Sequence, residues 1–548
     1  METAVMNGIL YAKLLRGGAA NLKANIKTVN DLNVFPIPDG DTGDNMFMTI
    51  NSGATSTGDS ERLDVTAKAA ASGMLLGARG NSGVILSRIF AGLSKGFDGV
   101  EYADAKILGK AFESGVKEAY GAVSVPVEGT ILTVLSDSVR YANARLSENS
   151  TIESYLDDFS QELSLSLNRT PDLLDVLKEA GVVDSGGAGL GYIIEGMKNV
   201  LAGVETDGGA ELATGTKRVD LNAFTEDSVL EFGYCTEFLL RLQRCKVDID
   251  SFDVDALIDY LNSVGDSVVA FKEGSIVKVH VHTMTPGKVF NHCQKFGEFL
   301  TIKAENMTLQ HNENHMKEKF VPKVNKPHKP YGIVSVAAGE GIKDAFSALG
   351  CDVVVDGGQS MNPSAEDLIS AFNEINADVI FIFPNNGNII LTANQAASLY
   401  KGADVRIVPT KTIGEGYAAI SMLDTTSNDT DAILAEMEEI IGSVVTAMVS
   451  KAVRDTEMDG IEVKKDDYIG FVGDKIYIDN ADKNAAAEGL CEATNAQQYD
   501  IMLLVCGSDV TAEEAQSLYS TLQKKYRRTE IVMIDGGQPI YDYIIILE

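Results

Sequence analysis

Tryptophan is absent from the 548 residues, and aromatic residues make up only 7%. Aromatic platforms for stacking bases are therefore not a theme of this chain. Basic residues are in deficit: 46 Lys and Arg stand against 79 Asp and Glu, a formal net charge of −33. Wrapping nucleic acid or lying on an anionic membrane wants clustered Lys and Arg, so neither is a main activity. No run approaches the roughly 18 apolar residues of a membrane span. The opening METAVMNGILYAKLLRGGAANL has no basic flank, long apolar core or small-residue cleavage site. It reads as an amphipathic helix rather than a signal peptide. The six cysteines, Cys235, Cys245, Cys293, Cys351, Cys491 and Cys506, form no CxxC pair. Scattered thiols fit a reducing, cytoplasmic location.

What is present describes a folded protein of several domains. Hydrophobic residues are 45% and charged residues 23%, which excludes disorder as the main state. The length argues for about three or four domains. Residues 1–203 carry apolar residues at three- and four-residue spacing, the mark of amphipathic helices. The predicted helices include Asn7–Val29, Gly129–Leu146, Ile152–Leu167 and Pro171–Ala180. Residues 204–219 are polar and Gly/Thr-rich, a linker. Residues 220–316 mix alternating stretches, EFGYCTEFLLRLQ and SIVKVHVHTM, with helical ones, which predicts an α+β domain. Residues 317–330, KEKFVPKVNKPHKP, form a Lys/Pro linker. From 331 to 548 strands and helices alternate, which predicts a mostly parallel, doubly wound sheet. One echo recurs there: Val355–Gln359 reads VDGGQ and Ile534–Gln538 reads IDGGQ, each after an apolar strand. It is either one αβ unit used twice or a common turn met twice.

The loops between the first helices are unusually rich in Gly, Asp, Ser and Thr. In Asn33–Met46, NVFPIPDGDTGDNM, Asp39 and Asp41 stand two apart before a helix. Hard cations such as Mg²⁺ take carboxylates plus substrate phosphates, and a helix start offers N–H groups to phosphate. An Asp-capped turn would look the same. Gly77–Gly83, GARGNSG, is a phosphate cradle or an N-cap at Ser82. Asp184–Gly189, DSGGAG, also opens a helix. No Walker GxxxxGK[ST], no GxGxxG after a strand and no EF-hand loop occurs. Three such loops in one helical domain point to one nucleotide site.

Four segments, NVFPIPDGDTGDNM, GARGNSGVILSRIF, PVEGTILTV and LLDVLKEAGVVDSGGAGL, closely resemble the nucleotide domain of fatty-acid kinase catalytic subunits. That domain is similar to the ATP-binding subunit of dihydroxyacetone kinases. The resemblance continues through GYCTEF, KVHVHT and DGGQPIYDYIIILE, nearly the whole chain. It implies a multidomain fold: an all-α antiparallel helical barrel, an α+β middle domain and an α/β DegV-like domain. It also implies ATP and Mg²⁺ at one end of the barrel. Asp39 and Asp41 match the metal-binding, catalytic carboxylates, and Asn33 falls near a third ligand position. Thr42, Gly43, Asn45, Met46, Asn81, Ser82, Gly83, Gly129, Thr130 and Asp184 match positions around the nucleotide. Asp44 departs from the motif, where Thr is usual.

All six histidines lie between His280 and His328, none in the helical domain. An ionised carboxylate acceptor needs no general base, so the absence favours an acyl-phosphate product. His280 and His282 share one face of a strand. With Cys235 they could make a Zn²⁺ set, but on HxH spacing alone two surface histidines and a core thiol are the simpler reading. The family's middle domain carries a Cys/His/His metal site at matching motifs, so the resemblance favours Zn²⁺. It further implies a fatty-acid-binding DegV-type partner that carries the substrate, and a homodimer. The carboxy-terminal domain is expected to dock that partner or assemble the dimer, not to hold lipid. The reading is ATP-dependent phosphorylation of a fatty-acid carboxylate. A dihydroxyacetone-type kinase and a non-catalytic nucleotide sensor are the alternatives.

Overall fold

The computed structural model describes residues 3–32, 40–123, 125–204, 234–249, 252–273, 275–306, 328–359, 361–425, 427 and 429–548. The chain forms two compact units, Met1–Ala213 with Lys326–Glu548, and Thr214–Asn325. The sequence pattern sets 1–203 and 331–548 apart as separate domains. The structure joins them in one compact unit.

The amino-terminal part is helical: α1 (Gly8–Ala24), α2 (Ile26–Asn30), α3 (Thr42–Ser56), α4 (Leu63–Gly77), α5 (Gly80–Gly96), α6 (Ala105–Gly121), α7 (Ile131–Ala144), α8 (Ile152–Leu173), α9 (Asp175–Ala180) and α10 (Ser185–Leu201). Side-chain oxygens start several of them. Asn7, Asp104 and Thr151 accept from the N–H groups of Leu10, Ile107 and Ser154, which satisfies donors the helix itself leaves unpaired. Helix α1 packs against α10, α3 and α4, and α5 packs against α6, α4 and α3. The α1–α10 contact is backbone to backbone: a Cβ on Gly196 would lie 2.3 Å from the Gly17 carbonyl oxygen. Leu15, Leu22, Phe97 and Phe159, all fully buried, belong to the shared core.

Two predicted boundaries move. The stretch read as one helix from Asn7 to Val29 breaks at Asn25, whose amide turns back to the Asn21 carbonyl at 2.8 Å. The break expected before Pro171 is absent, and α8 runs on to Leu173. Proline has no N–H to give the carbonyl four residues back. The buried Thr170 hydroxyl replaces that donor, reaching the Leu167 oxygen at 2.7 Å.

The carboxy-terminal part opens with the parallel sheet the sequence predicts. Strands β5 (Lys329–Ala337), β6 (Val353–Asp356), β7 (Ala377–Phe383) and β8 (Asp404–Ile407) lie in the order 6-5-7-8. Helices Ala365–Asn373 and Gly387–Leu399 share a core with it through Leu368, Phe372, Ile389 and Ala393. Beyond β8 the chain builds a second sheet that the sequence pattern does not separate from the first. It has six strands and is mixed: β9 (Val445–Lys451), β12 (Tyr468–Val472), β13 (Lys475–Asn480), β14 (Ile501–Cys506), β15 (Glu530–Asp535) and β16 (Tyr541–Leu547), in the order 13-12-9-16-14-15. Only β14 and β15 pair in parallel. A small hairpin, β10 (Thr456–Met458) with β11 (Ile461–Val463), stands apart from it. The two DGGQ segments follow β6 and β15, each an edge strand parallel to its neighbour. Gly357, Gly358 and Gln359 of one and Gln538 of the other line a single cavity of about 510 Å³.

The second unit is a sheet of β1 (Tyr234–Leu242), β2 (Asp266–Glu273), β3 (Ile276–Thr283) and β4 (Gly297–Asn306), antiparallel in the order 2-3-1-4. Phe238, Leu240, Val277, Val279 and Val281 bury one face against α11 (Val254–Val264) and α12 (Pro286–Cys293). Among the described residues no helix is long and apolar enough to cross a membrane.

Candidate nucleotide site

Four helix starts gather in the first unit. Asp41 precedes α3 and makes no capping bond to it. Its Oδ2 instead accepts from Asn362 Nδ2 at 2.5 Å. Gly43 N–H donates to Asn30 Oδ1 at 2.7 Å, and Asn30 Nδ2 donates to Asp44 Oδ2 at 2.7 Å. These bonds fix the start of α3 against α2. Asp44 lies in the first turn, where a negative charge suits the helix dipole. Asn45 is buried beside it. Met46 is fully buried in the core against Gly189 of α10, so its part here is packing.

Helix α5 starts at Gly80, with Arg79 as its N-cap; Ser82, read from the sequence as the candidate cap, lies half-buried inside the first turn. The left-handed backbone at Gly80, φ +57°, explains the glycine. Gly83 brings α5 onto α3, since a Cβ there would lie 2.4 Å from Thr49 Oγ1. Asn81 Nδ2 donates to Asn388 Oδ1 at 3.2 Å, while its own buried Oδ1 has no partner among the described residues.

Helix α7 starts after Gly129, another left-handed residue, whose N–H donates to Thr133 Oγ1 at 2.8 Å. Thr130 is the N-cap, and its hydroxyl donates to the Val127 carbonyl at 2.8 Å. Asp184 caps α10, with Oδ2 accepting from Gly187 N–H at 2.7 Å. Burial pushes the Asp184 carboxyl up to about 6; N–H groups of Gly187 and Ile131 oppose that rise. The Ile131 contact ties the start of α10 to that of α7. Ser185 Oγ lies 3.3 Å from Thr42 Oγ1, which ties α10 to α3. Helix starts far apart in sequence are thus linked to one another: α3 to α10 through Thr42 and Ser185, α10 to α7 through Asp184 and Ile131, and α5 to α3 through Gly83 and Thr49.

The donor set suits a magnesium-bound nucleotide. Asp41 offers carboxylate oxygen, the ligand type a hard cation takes, and stands at the start of α3, where N–H groups without intrahelical partners suit phosphate. The Oδ1 of Asn362, whose amide contacts Asp41, is buried without a partner among the described residues. Asp39 and Asn33 lie outside the described residues. Among the described residues no group of three or more His, Cys, Asp or Glu is placed to hold a metal by itself.

In the second unit, β1 pairs with β3 so that Cys235 lies opposite His282 and Glu237 opposite His280. Opposed positions of an antiparallel pair share a face. The three zinc candidates therefore fall on one face, the one opposite the core residues Phe238 and Val279. Glu237 is a further acidic position on that face which HxH spacing did not reveal.

Comparison with known proteins follows the same three-part division. Residues 36–199 match the DAK2 domain, 231–314 the FakA-like middle domain of fatty acid kinase, and 332–548 the FakA-like C-terminal domain. Protein YloV of Bacillus subtilis (strain 168) is 40% identical over 560 residues, covering 100% of both chains. The chain belongs to the FakA-like family. A protein of Staphylococcus aureus (strain USA300) described as uncharacterized is 36% identical, with 99% of each chain covered. Among solved structures, the fatty acid binding protein DegV of B. subtilis aligns with a TM-score of 0.32 and 12% identity, over 40% of this chain and 100% of its own. The dihydroxyacetone kinase of C. freundii, solved with AMP-PNP and Mg²⁺, aligns at 0.27 and 17%, over 34% and 33%. The assignment rests on the family matches and the full-length relatives, which place this FakA-like chain in a kinase family and a fatty acid kinase system.

Sequence reasoning missed the residues that this FakA-like chain brings to the site from its carboxy-terminal part. Asn362 reaches Asp41, Asn388 reaches Asn81, and Gln395 reaches the Leu75 carbonyl at 2.5 Å. Asn362 reads as a turn residue before Ser364. Ser364 is an N-cap, in a capping box with Asp367. No local signal separates a turn asparagine from one that crosses to another domain.

Proposed function

We propose that this chain is the ATP-binding catalytic component of a fatty acid kinase. The γ-phosphoryl group of ATP passes to a fatty-acid carboxylate presented by a separate DegV-type protein. The observation that carries this reading is the convergence of the α3, α5, α7 and α10 starts beside Asp41. The helical part is read as an antiparallel barrel with the nucleotide at that end. The family reading also includes a homodimer and a cytoplasmic location.

In this mechanism the N–H groups at the starts of α3 and α5 hold phosphate oxygens. Asp41, with Asp39 and Asn33, would hold Mg²⁺. The cation, when bound, offsets negative charge on the phosphates during transfer. Thr42, Asn45, Asn81 and Ser82 orient the phosphate chain, and Gly83 lets α5 approach α3 closely enough to bring them together. Gly129, Thr130 and Asp184 border the site on the α7–α10 side. One carboxylate oxygen bonds to the γ-phosphorus as the bond to the β–γ bridging oxygen breaks, giving acyl phosphate and ADP. The acceptor is ionised at neutral pH, so no proton has to leave it. The helical domain, which has no histidine, is consistent with that chemistry. Cys235, His280 and His282 are kept as candidate zinc ligands of the middle domain, supported by the backbone register.

Hydroxylamine trapping tests the reaction. Purified protein, MgATP and a fatty-acid-loaded DegV-type protein should give acyl hydroxamate only when all three are present. ATP binding with no hydroxamate across several such partners would move the assignment to a dihydroxyacetone-type kinase or a nucleotide sensor.

A further inference from the structure

The carboxy-terminal lobe is seated on the helical part by a built set of contacts. Helix Gly387–Leu399 packs against α5, and helix Ala365–Asn373 against α4. Gln395, fully enclosed, donates Nε2 to the Leu75 carbonyl at 2.5 Å. That carbonyl is in the last turn of α4, where no intrahelical donor remains. Arg79 spans the seam: Nη1 donates to the Asn362 carbonyl at 2.8 Å, and Nη2 lies 3.3 Å from Asp367 Oδ2. Arg79 and Ser364 form an antiparallel bridge, beside the bond from Ala365 N–H to the Ala78 carbonyl at 3.3 Å. The tip of this seam is Asn362. It is 2% exposed, and its Nδ2 lies on Asp41 Oδ2.

A side-chain amide nitrogen is a donor and never a metal ligand of choice; a hard cation takes oxygen. Asn362 therefore takes one of the acceptor positions of Asp41 Oδ2 by which a cation can approach the carboxylate. The opposite end of the same amide is unsatisfied. Its Oδ1 is buried without a partner among the described residues, an arrangement that costs free energy. The amide cannot turn over while Asp41 is its acceptor. The docked tip is thus fastened to the candidate metal carboxylate and is locally imperfect.

We propose that the carboxy-terminal lobe is a cation-sensitive cap: its Asn362 tip and a divalent cation compete for Asp41. The docked lobe holds the site in a cation-poor state. Loading the cation with nucleotide displaces Asn362 and loosens the lobe around Arg79. This inference rests on the assignment of Asp41 as a metal ligand.

The test measures Mn²⁺ binding to the full chain by electron paramagnetic resonance, with AMP-PNP present, so no turnover is needed. Asn362→Ala should bind Mn²⁺ about tenfold more tightly, the order set by one charge-assisted hydrogen bond. A paired Arg79→Cys and Ser364→Cys variant places two thiols across a strand-like bridge, within disulfide reach. Oxidised, it should bind Mn²⁺ about tenfold more weakly than after reduction. Asp41→Asn controls the premise. If Asp41→Asn leaves Mn²⁺ affinity unchanged, the metal assignment fails. If Asp41→Asn weakens binding while Asn362→Ala and the disulfide leave it unmoved, the metal assignment stands and the cap is overturned.

Discussion

Asn362 and Asp41 are 321 positions apart in the chain and 2.5 Å apart in the fold, amide nitrogen to carboxylate oxygen. The contact brings the two largest parts of the chain together on the residue assigned to the metal. Asp41→Ala should remove that ligand and lower acyl-phosphate formation at least about a hundredfold, the order seen when a group that stabilises transition-state charge is lost. Circular dichroism should show the fold retained, because Asp41 makes no capping bond to α3. A normal rate would withdraw the metal assignment.

Asp184 is the buried acid of the site, with its carboxyl pushed up to about 6 by desolvation. The folded protein therefore holds this proton more tightly than the unfolded chain between about pH 4 and 6. The stabilisation from this group is present at low pH and is lost as pH rises through 6. Asp184→Asn keeps an oxygen for the Gly187 N–H and removes the buried charge. It should raise stability at pH 7 by roughly 1–3 kcal/mol and flatten the pH 4–6 dependence. Urea denaturation at several pH values checks both. A variant less stable than wild type at pH 7 would mean that the ionised carboxylate is held by a partner.

Thr170 does two jobs with one hydroxyl. It donates to the Leu167 carbonyl that Pro171 leaves unpaired and accepts from the Asp184 N–H at 3.1 Å. Thr170→Val keeps the shape and strands both groups, at a cost of about 1–3 kcal/mol. Thr170→Ser should lose much less. Equal losses in the two variants would show that packing of the methyl group, and not the hydroxyl, matters.

Gly83 and Gly189 face different neighbours. A Cβ at Gly83 meets Thr49 Oγ1 at 2.4 Å and the Asn45 backbone oxygen at 3.2 Å. Thr49 is itself bonded to that oxygen, so it has little room to move. Gly83→Ala should cost about 1–3 kcal/mol. A Cβ at Gly189 meets Met46 Sδ at 2.6 Å. Methionine is unbranched and adapts, and alanine is the better helix former, so Gly189→Ala should fall within about 1 kcal/mol of wild type. Thermal unfolding of the pair ranks them; the reverse order would place the rigid contact at Met46.

The β1–β3 register gives the middle domain its own test. Protein purified without added metal should carry about one zinc per chain by elemental analysis if Cys235, His280 and His282 ligate it, and Cys235→Ser should lose it. A metal-free wild type would remove the zinc assignment.

Much of the fold was legible because its causes are local. Asn7, Asp104 and Thr151 mark helix starts, and the apolar run YGIVSVA marks a strand buried on both faces. The helix-start and packing places of Asp41, Gly83 and Asp184 were legible because helix starts and tight contacts need those residue types. Arg79 was not: N-cap preference favours Ser82, but the helix starts at the left-handed Gly80, three residues earlier than a Ser82 cap would place it. Pro171 misled for a similar reason, since its lost hydrogen bond is replaced by Thr170.

The sequence alone determined the helical segments, the parallel strands of the carboxy-terminal part, the Gly/Asp/Ser loops and the family. Each follows from periodicity, backbone freedom or a long motif, all readable within a few dozen residues. Only the tertiary structure decided that the starts of α3, α5, α7 and α10 meet at one end. It alone joined the outer parts of the chain and set Asn362 on Asp41. Those relations depend on which packed surfaces bring distant loops within hydrogen-bond reach. A hydrogen bond is decided over tenths of an ångström, and no spacing along the chain encodes a distance of that kind across 321 residues.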